Sequence, residues 1–381
     1  MTTQATTYHG GKIFDGETLH TGQAVRVQNG AVTHIGDLQD LPTSETLIDL
    51  GGEILSPGYV DLQVNGGDGV LLNDAPSVDT FDRIARAHRR LGATTILPTL
   101  ITDTAAQTRS AIDTAVSAVE QGMTGIGGLH LEGPHLSIAR KGAHDAALIR
   151  AMTDADLNIL CAAAQSLPVL FLTIAPENVT LAQVRTLREA GAILSLGHSD
   201  ADFETCMSYA DAGVTCVTHL FNAMSQLGNR QPGLVGAALS HPGLSAGLIA
   251  DGIHVHPATM TAALAANRGP GQVFLVSDAM APAGTDQTEF TLNGRCIQRS
   301  EGRLTLEDGT LAGADLDLTT ALRVLTSTVG VPLDIALQMA TSAPASVVPL
   351  PDGTGQLRTG TRTHQLIRIS ADLTNCVPLV K

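Results

Sequence analysis

The feature that most constrains this chain is a rhythm. Between residues 57 and 355, short apolar runs alternate with stretches of about ten to eighteen residues that carry a helical pattern, as repeated βα units require. Eight runs qualify as strands: 59–65, 94–100, 126–133, 169–176, 192–199, 214–221, 245–255 and 272–280. Eight such units predict an α/β fold of the (β/α)8 or TIM-barrel type, with its chemistry gathered where the strands end. Helices are expected at 76–91, 104–121, 180–190 and 201–212, with Thr104 and Thr180 as N-caps.

The flanks follow another period. From Tyr8 to Leu55, and again from Thr363 to Val380, apolar residues alternate and Gly or Asn-Gly punctuates the runs. These segments predict a small β-sandwich built from residues 1–56 and 356–381, flanking a barrel of residues 57–355. Within the barrel region, Asn293-Gly294 and Asp308-Gly309 mark turns of a β insertion at 285–310, ahead of a helix that starts near Asp317.

Composition narrows the function. Hydrophobic residues make up 43% and charged residues 15%, enough for a large core and unlike a disordered chain. With 22 Lys and Arg against 37 Asp and Glu, the net charge of -15 repels a phosphate backbone, so nucleic acid is excluded as a partner. An anionic small molecule would need a local cationic pocket. The five cysteines are odd in number and lack CxxC spacing, which argues against a disulfide framework or a thiolate metal site and leaves them as buried thiols. No run of 18 apolar residues and no leader-like start is present, and the expectation is a cytoplasmic protein without a membrane partner.

Polar groups then stand where the strands should end: Glu132 in LHLEGP, His198 in LSLGHS, His219 in VTHLFNAM, His254 in ADGIHV and Asp278 in LVSDAM. A lone histidine there is most often a hydrogen-bonded core residue. A carboxylate and two imidazoles converging on one rim are costly to desolvate unless something cationic joins them, and a divalent metal is the economical answer. Glu132, His198 and His219 supply oxygen and nitrogen donors suited to zinc or iron and leave a coordination position free. Asp278 could be an N-cap, yet its rim position suits a group that takes a proton from an attacking water and returns it to a leaving nitrogen.

Seven segments in fixed order, 56–74, 128–145, 195–201, 218–233, 250–255, 275–280 and 308–316, carry a resemblance to the N-acetylglucosamine-6-phosphate deacetylase family of the amidohydrolase superfamily. The resemblance implies the barrel and sandwich, hydrolysis of the acetamide of N-acetylglucosamine 6-phosphate, and a metal on Glu132, His198 and His219 with Asp278 as acid and base. It implies that His144 polarises the scissile carbonyl, that Ala143, Asn222 and Ala223 contact the sugar, and that Leu311, Ala312 and Gly313 form the far wall. Arg230, whose guanidinium fork suits phosphate, and His254 would hold the anionic end. A homodimer or homotetramer is also implied, with His254 serving either its own or a neighbouring subunit.

One departure matters. Where the wider superfamily carries a His-x-His pair on the first strand, this chain has Gln63 and Asn65, poor ligands for zinc, so a single metal per subunit is expected, zinc before iron. Three other readings remain open: the galacto epimer as substrate, a cyclic amidohydrolase, and a phosphosugar-binding barrel without catalysis. His135 is not expected to be a ligand, and Gly66, Gly67 and Gly69 are expected to allow a tight loop over the metal.

Overall fold

The computed structural model describes residues 4–267 and 271–380, so residues 1–3 and 381 of the expected terminal segments lie outside it. Eight strands pair in parallel and in sequence order: Tyr59–Val64, Ala93–Ile101, Leu129–Glu132, Leu170–Ile174, Ile193–Leu196, Cys216–Val217, Ser245–Leu248 and Val273–Leu275. The helices expected between them form as Val78–Arg90, Ala105–Glu120, Leu181–Glu189 and Phe203–Ala212. Thr104 caps the second, and Thr180 makes a full capping box with Gln183 at the third. The first strand is buried along its whole length, as expected of a parallel strand covered on both faces. Its alternate residues Asp61, Gln63 and Asn65 make polar contacts across the barrel, while Tyr59, Val60, Leu62 and Val64 join the apolar core.

From the fourth strand onward the ladder stops two to seven residues short of the expected ends, for instance at Leu196 rather than 199 and at Leu275 rather than 280. The cause is local backbone geometry. His198, His219 and Asp278 have φ of 47°, 30° and 51°, which turns the chain out of the ladder and toward the barrel mouth. Apolar periodicity does not register such a turn, because the residues past it remain buried.

The two chain ends share a sheet. Leu366–Ile369 pairs antiparallel with Ile54–Pro57, in a five-stranded sheet that also holds Lys12–Phe14, Leu19–Thr21 and Cys376–Pro378. A second sheet of Thr6–His9, Gln23–Gln28, Ala31–Asp37 and Thr46–Asp49 packs on it through a separate apolar cluster including Ile13, Val25, Leu55 and Leu366.

The insertion is a four-stranded sheet, Glu289–Leu292, Arg295–Ser300, Arg303–Thr305 and Leu311–Ala314, so it runs a few residues beyond the expected 310. Its apolar face, Leu292, Ile297, Leu304 and Ala312, packs on Leu71, Ile101 and Met280 at the barrel mouth. Asp317 caps the next helix, Leu318–Val324.

The expectation of five buried thiols needs correction. Cys206, Cys216 and Cys376 are buried, but Cys161 is half-buried and Cys296 is exposed. Cys296 alternates with buried Ile297 along Arg295–Ser300, so it falls on the strand's exposed side. No cysteine is paired with another among the described residues.

Candidate active site and metal centre

Glu132 ends the third strand, and His198 and His219 follow the fifth and sixth. The three side chains meet. Glu132 Oε1 lies 3.2 Å from His198 Nε2 and 3.0 Å from His219 Nε2, and the two imidazole nitrogens are 3.1 Å apart. All three residues are buried.

This triangle does not work as a set of ordinary hydrogen bonds. His198 Nδ1 lies 2.8 Å from the backbone carbonyl of Arg140, which can only accept, so a proton sits on Nδ1 and Nε2 is the nitrogen turned toward the other two atoms, with a lone pair to offer whenever the ring is neutral. One proton on His219 Nε2 could serve a single acceptor and would leave the remaining pair in repulsion. A cation at the centre satisfies all three at once. Donors about 2.0–2.2 Å from a tetrahedral zinc stand roughly 3.3–3.5 Å apart, close to the separations observed. The residues therefore fit a metal, and the carbonyl behind His198 is the outer partner that fixes the orientation of a metal-binding imidazole.

Electrostatics agree. Burial works to raise the Glu132 pKa, but the His198 and His219 hydrogen bonds and charges outweigh it and hold the carboxyl well below its usual range. Burial likewise works to lower the His219 pKa, and the Glu132 hydrogen bond and charge reverse it.

Asp278, past the end of the eighth strand, stands beside this centre. Gln63 Nε2 donates to Glu132 Oε1 at 3.2 Å and to Asp278 Oδ1 at 3.1 Å, while Asn65 Nδ2 donates to the same Oδ1 at 2.7 Å. The two first-strand amides thus act as donors that fasten Asp278 to the metal cluster. Burial first, and then the Glu132 charge, push the Asp278 pKa up to about 6, near the range a proton shuttle needs at neutral pH. A bound divalent cation adds opposing charge and draws it back down.

His144 reaches the cluster from the loop that follows the third strand. Its Nδ1 faces the backbone N–H of Thr102 at 3.4 Å and the Thr102 hydroxyl at 2.8 Å, so Nδ1 accepts and the proton resides on Nε2, which lies 3.9 Å from Glu132 Oε2. Burial, then the nearby His198, lowers its pKa to about 3, so the ring is a neutral donor.

These groups form the floor of a cavity of about 410 Å³, within the size of small-molecule sites. Ala143 and His144 line it from one loop, Asn222 and Ala223 from the loop after the sixth strand, and His254 from the loop after the seventh. Leu311, Ala312 and Gly313 form the wall contributed by the insertion sheet, and Arg295 of that sheet donates to the Ala143 carbonyl. His254 is fixed by Asp251, whose Oδ2 lies 2.6 Å from Nδ1 and whose Oδ1 accepts the backbone N–H groups of Ile253 and His254 at 2.8 Å.

Arg230 stands apart. It is exposed and does not line this cavity; the arginine that does is Arg140, whose guanidinium pairs with Asp200 at 2.7 Å. His135, buried, hydrogen-bonds the Arg150 carbonyl at 3.0 Å, away from the metal cluster. Gly66 and Gly67 form a short hairpin with Val70 and Leu71 just past the first strand, against Ala281 of the eighth unit. Sequence reasoning passed over Asp61 and Arg140. A lone acid two residues before Gln63, in an otherwise apolar strand, was the available signal for the first; nothing in the pattern marked the second.

Comparison with known proteins gives a consistent answer. The profile of the Amidohydrolase family matches residues 54–363. N-acetylgalactosamine-6-phosphate deacetylase of Shewanella sp. is 42% identical over 297 residues, 78% of this chain and 75% of that protein. N-acetylglucosamine-6-phosphate deacetylase of Haemophilus influenzae is 33% identical over 324 residues, 84% of each. Among solved structures, N-acetylglucosamine-6-phosphate deacetylase of Pasteurella multocida superposes with a TM-score of 0.91 at 30% identity, covering 98% of this chain and 97% of that one. The corresponding enzyme of Mycobacterium smegmatis, as a point mutant in complex with N-acetyl-D-glucosamine-6-phosphate, gives a TM-score of 0.88 at 27% identity over 99% of this chain and 97% of that one. This chain belongs to the amidohydrolase family, among its deacetylases of N-acetylated amino-sugar 6-phosphates.

Proposed function

We propose that the chain hydrolyses N-acetyl-D-glucosamine 6-phosphate to D-glucosamine 6-phosphate and acetate, with one divalent metal per subunit. The observation that carries this reading is the placement of Asp278 beside the Glu132, His198 and His219 triangle, through Gln63. Zinc suits the donor set better than a hard cation does, with iron(II) next. Because Gln63 and Asn65 spend their amide groups on carboxylates, the first strand offers no second cluster, which supports a single metal.

A cation on this triangle supplies Lewis acidity, acidifying water and polarising the acetyl carbonyl. Asp278 takes the proton as the water oxygen adds to the acetyl carbon, and His144 Nε2–H donates to the carbonyl oxygen as it gains charge. When the C–N bond breaks, Asp278 returns the proton to the nitrogen, so acetate and a free amine leave. The Ala143, Asn222 and Ala223 loops and the insertion wall enclose the sugar. His254, held by Asp251, faces the anionic end.

Arg230 keeps its proposed phosphate role only if it serves another copy of the chain, since it lies outside its own cavity. We read the chain as a homodimer or larger assembly on that condition. The five unpaired cysteines are in keeping with the reducing cytoplasm. No helix among the described residues is long and apolar enough to cross a membrane.

A second reading has a specific basis: the Shewanella relative, at 42% identity, is a deacetylase of the galacto epimer. The deciding experiment measures acetate released from both acetylated sugar phosphates by metal-reconstituted protein. Faster turnover of the gluco substrate is expected. Preference for the galacto substrate would transfer the assignment, and release from neither would refute deacetylation.

A further inference from the structure

Asp61 is fully buried inside the barrel and is used by none of the steps above. Its surroundings explain why a carboxylate stands there. The parallel ladder joins the eight strands in order, but the eighth unit meets the first strand only past its ladder, through a parallel bridge between Val64 and Ala279 and the Asn65 N–H that donates to the Ala279 carbonyl at 2.9 Å; below that bridge no ladder pairs Val273–Leu275 with Tyr59–Val64 among the described residues. At that level Asp61 replaces the ladder. Its Oδ1 and Oδ2 accept the backbone N–H of Ser277 at 3.2 and 3.3 Å, and Oδ1 also accepts the N–H of Gln63 at 3.2 Å.

The two residues it grips are the immediate supports of the acid-base group. Ser277 precedes Asp278, and Gln63 carries both the amide that donates to Asp278 Oδ1 and the carbonyl that accepts the Asp278 N–H at 3.0 Å. Asp278 also holds a φ of 51°, a conformation that a non-glycine residue keeps only when its neighbours enforce it. Burial pushes the Asp61 pKa up to about 7 even with these amide donors, so the position carries a cost that an apolar side chain would avoid.

We propose that Asp61 is a positioning residue for Asp278: by tying the Ser277 and Gln63 amides together just below the Val64–Ala279 bridge, it sets the angle at which the Asp278 carboxylate meets the reacting atoms. This rests on the deacetylase reading. Asp61 touches neither substrate nor metal ligands, so its removal should slow the proton steps and leave substrate binding and metal affinity in place.

The test compares Asp61→Ala and Asp61→Asn with wild-type protein, all metal-reconstituted. Wild-type acetate release tests the activity itself, and the inference is read from the ratios to it. A misplacement of about 1 Å predicts a fall in kcat on the order of 100-fold for Asp61→Ala. KM and the metal Kd, read by chelator competition, should stay within about threefold. Asp61→Asn keeps one acceptor oxygen and should recover much of the loss, with kcat down about tenfold or less. If Asp61→Ala fails to fold, Asp61→Asn carries the test alone: a measurable fall in kcat at constant KM supports the proposal. A lowered melting temperature with unchanged kcat in every variant that folds marks Asp61 as merely structural and overturns it, and so does a rise in KM at constant kcat.

Discussion

Replacing Asp278 by Asn should make the metal-free protein more stable and the enzyme nearly inactive. Asp278 is 8% exposed, and burial raises its pKa from 3.8 to about 6. An acid whose folded pKa lies above its unfolded value contributes stability below the unfolded pKa and loses it as pH rises through the folded one. At neutral pH, then, the folded state carries a penalty for holding this charge. At about 1.4 kcal/mol per pH unit it is on the order of 3 kcal/mol. Asn removes the charge at little structural cost, because the hydrogen bonds from Gln63 and Asn65 both fall on Oδ1, which an amide oxygen can replace. Melting in chelator at about pH 7.5 should therefore show a midpoint several degrees higher for Asp278→Asn. The gap should shrink below pH 6 and vanish near 3.8. Adding metal should narrow it as well, since the cation repays wild type for a charge the variant lacks. Activity should fall by roughly 10²–10⁴ in kcat, the range for a lost proton shuttle. An equal or lower midpoint in chelator at neutral pH would refute the argument that Asp278 is held ionised against its surroundings.

Other consequences follow from the same geometry. Gln63→Met removes the amide between Glu132 and Asp278 at similar volume, and should lower kcat by about tenfold or more and weaken metal binding less, as chelator titration would measure. His198→Ala or Glu132→Gln should reduce bound metal from one equivalent to a small fraction by elemental analysis, whereas a retained full equivalent would place the metal elsewhere. Arg230→Ala should raise KM for the phosphorylated sugar about tenfold or more with little change for the unphosphorylated one. Mixing it with Asp278→Asn subunits should restore part of the activity if Arg230 serves a neighbour, and no recovery would assign it no role across subunits.

The barrel was readable because a covered parallel strand must be apolar throughout, and short apolar runs such as 169–176 announce themselves. The strand ends were not, because residues such as Leu220 and Ile249 stay buried after the ladder has stopped, so apolar pattern alone cannot place the turn at His219 or at the loop to His254. Glu132, His198 and His219 could be picked out as candidate donors by type and order. Their convergence to about 3 Å could not, since that depends on three turns of positive φ or close packing set by neighbouring strands. Asp61 illustrates the same limit from the other side: its partner Ser277 is 216 residues away, and no local pattern pairs them. Arg230 had a chemical rationale for phosphate, but which cavity its loop reaches is set by tertiary placement, which sequence spacing does not encode. The exposure of Cys296 was likewise out of reach, because alternation along Arg295–Ser300 does not say which face of the strand is covered.

The shared sheet of the two termini has a consequence for synthesis. A ribosome delivers Ile54–Pro57 more than 300 residues before Leu366–Ile369, the strand that completes its edge. Until then the nascent chain displays an apolar ribbon with open amides, the kind of template that recruits other unfinished chains. Emergence of Leu366–Ile369, rather than of the barrel, is thus the step that covers this edge, and removing that strand should expose the ribbon again.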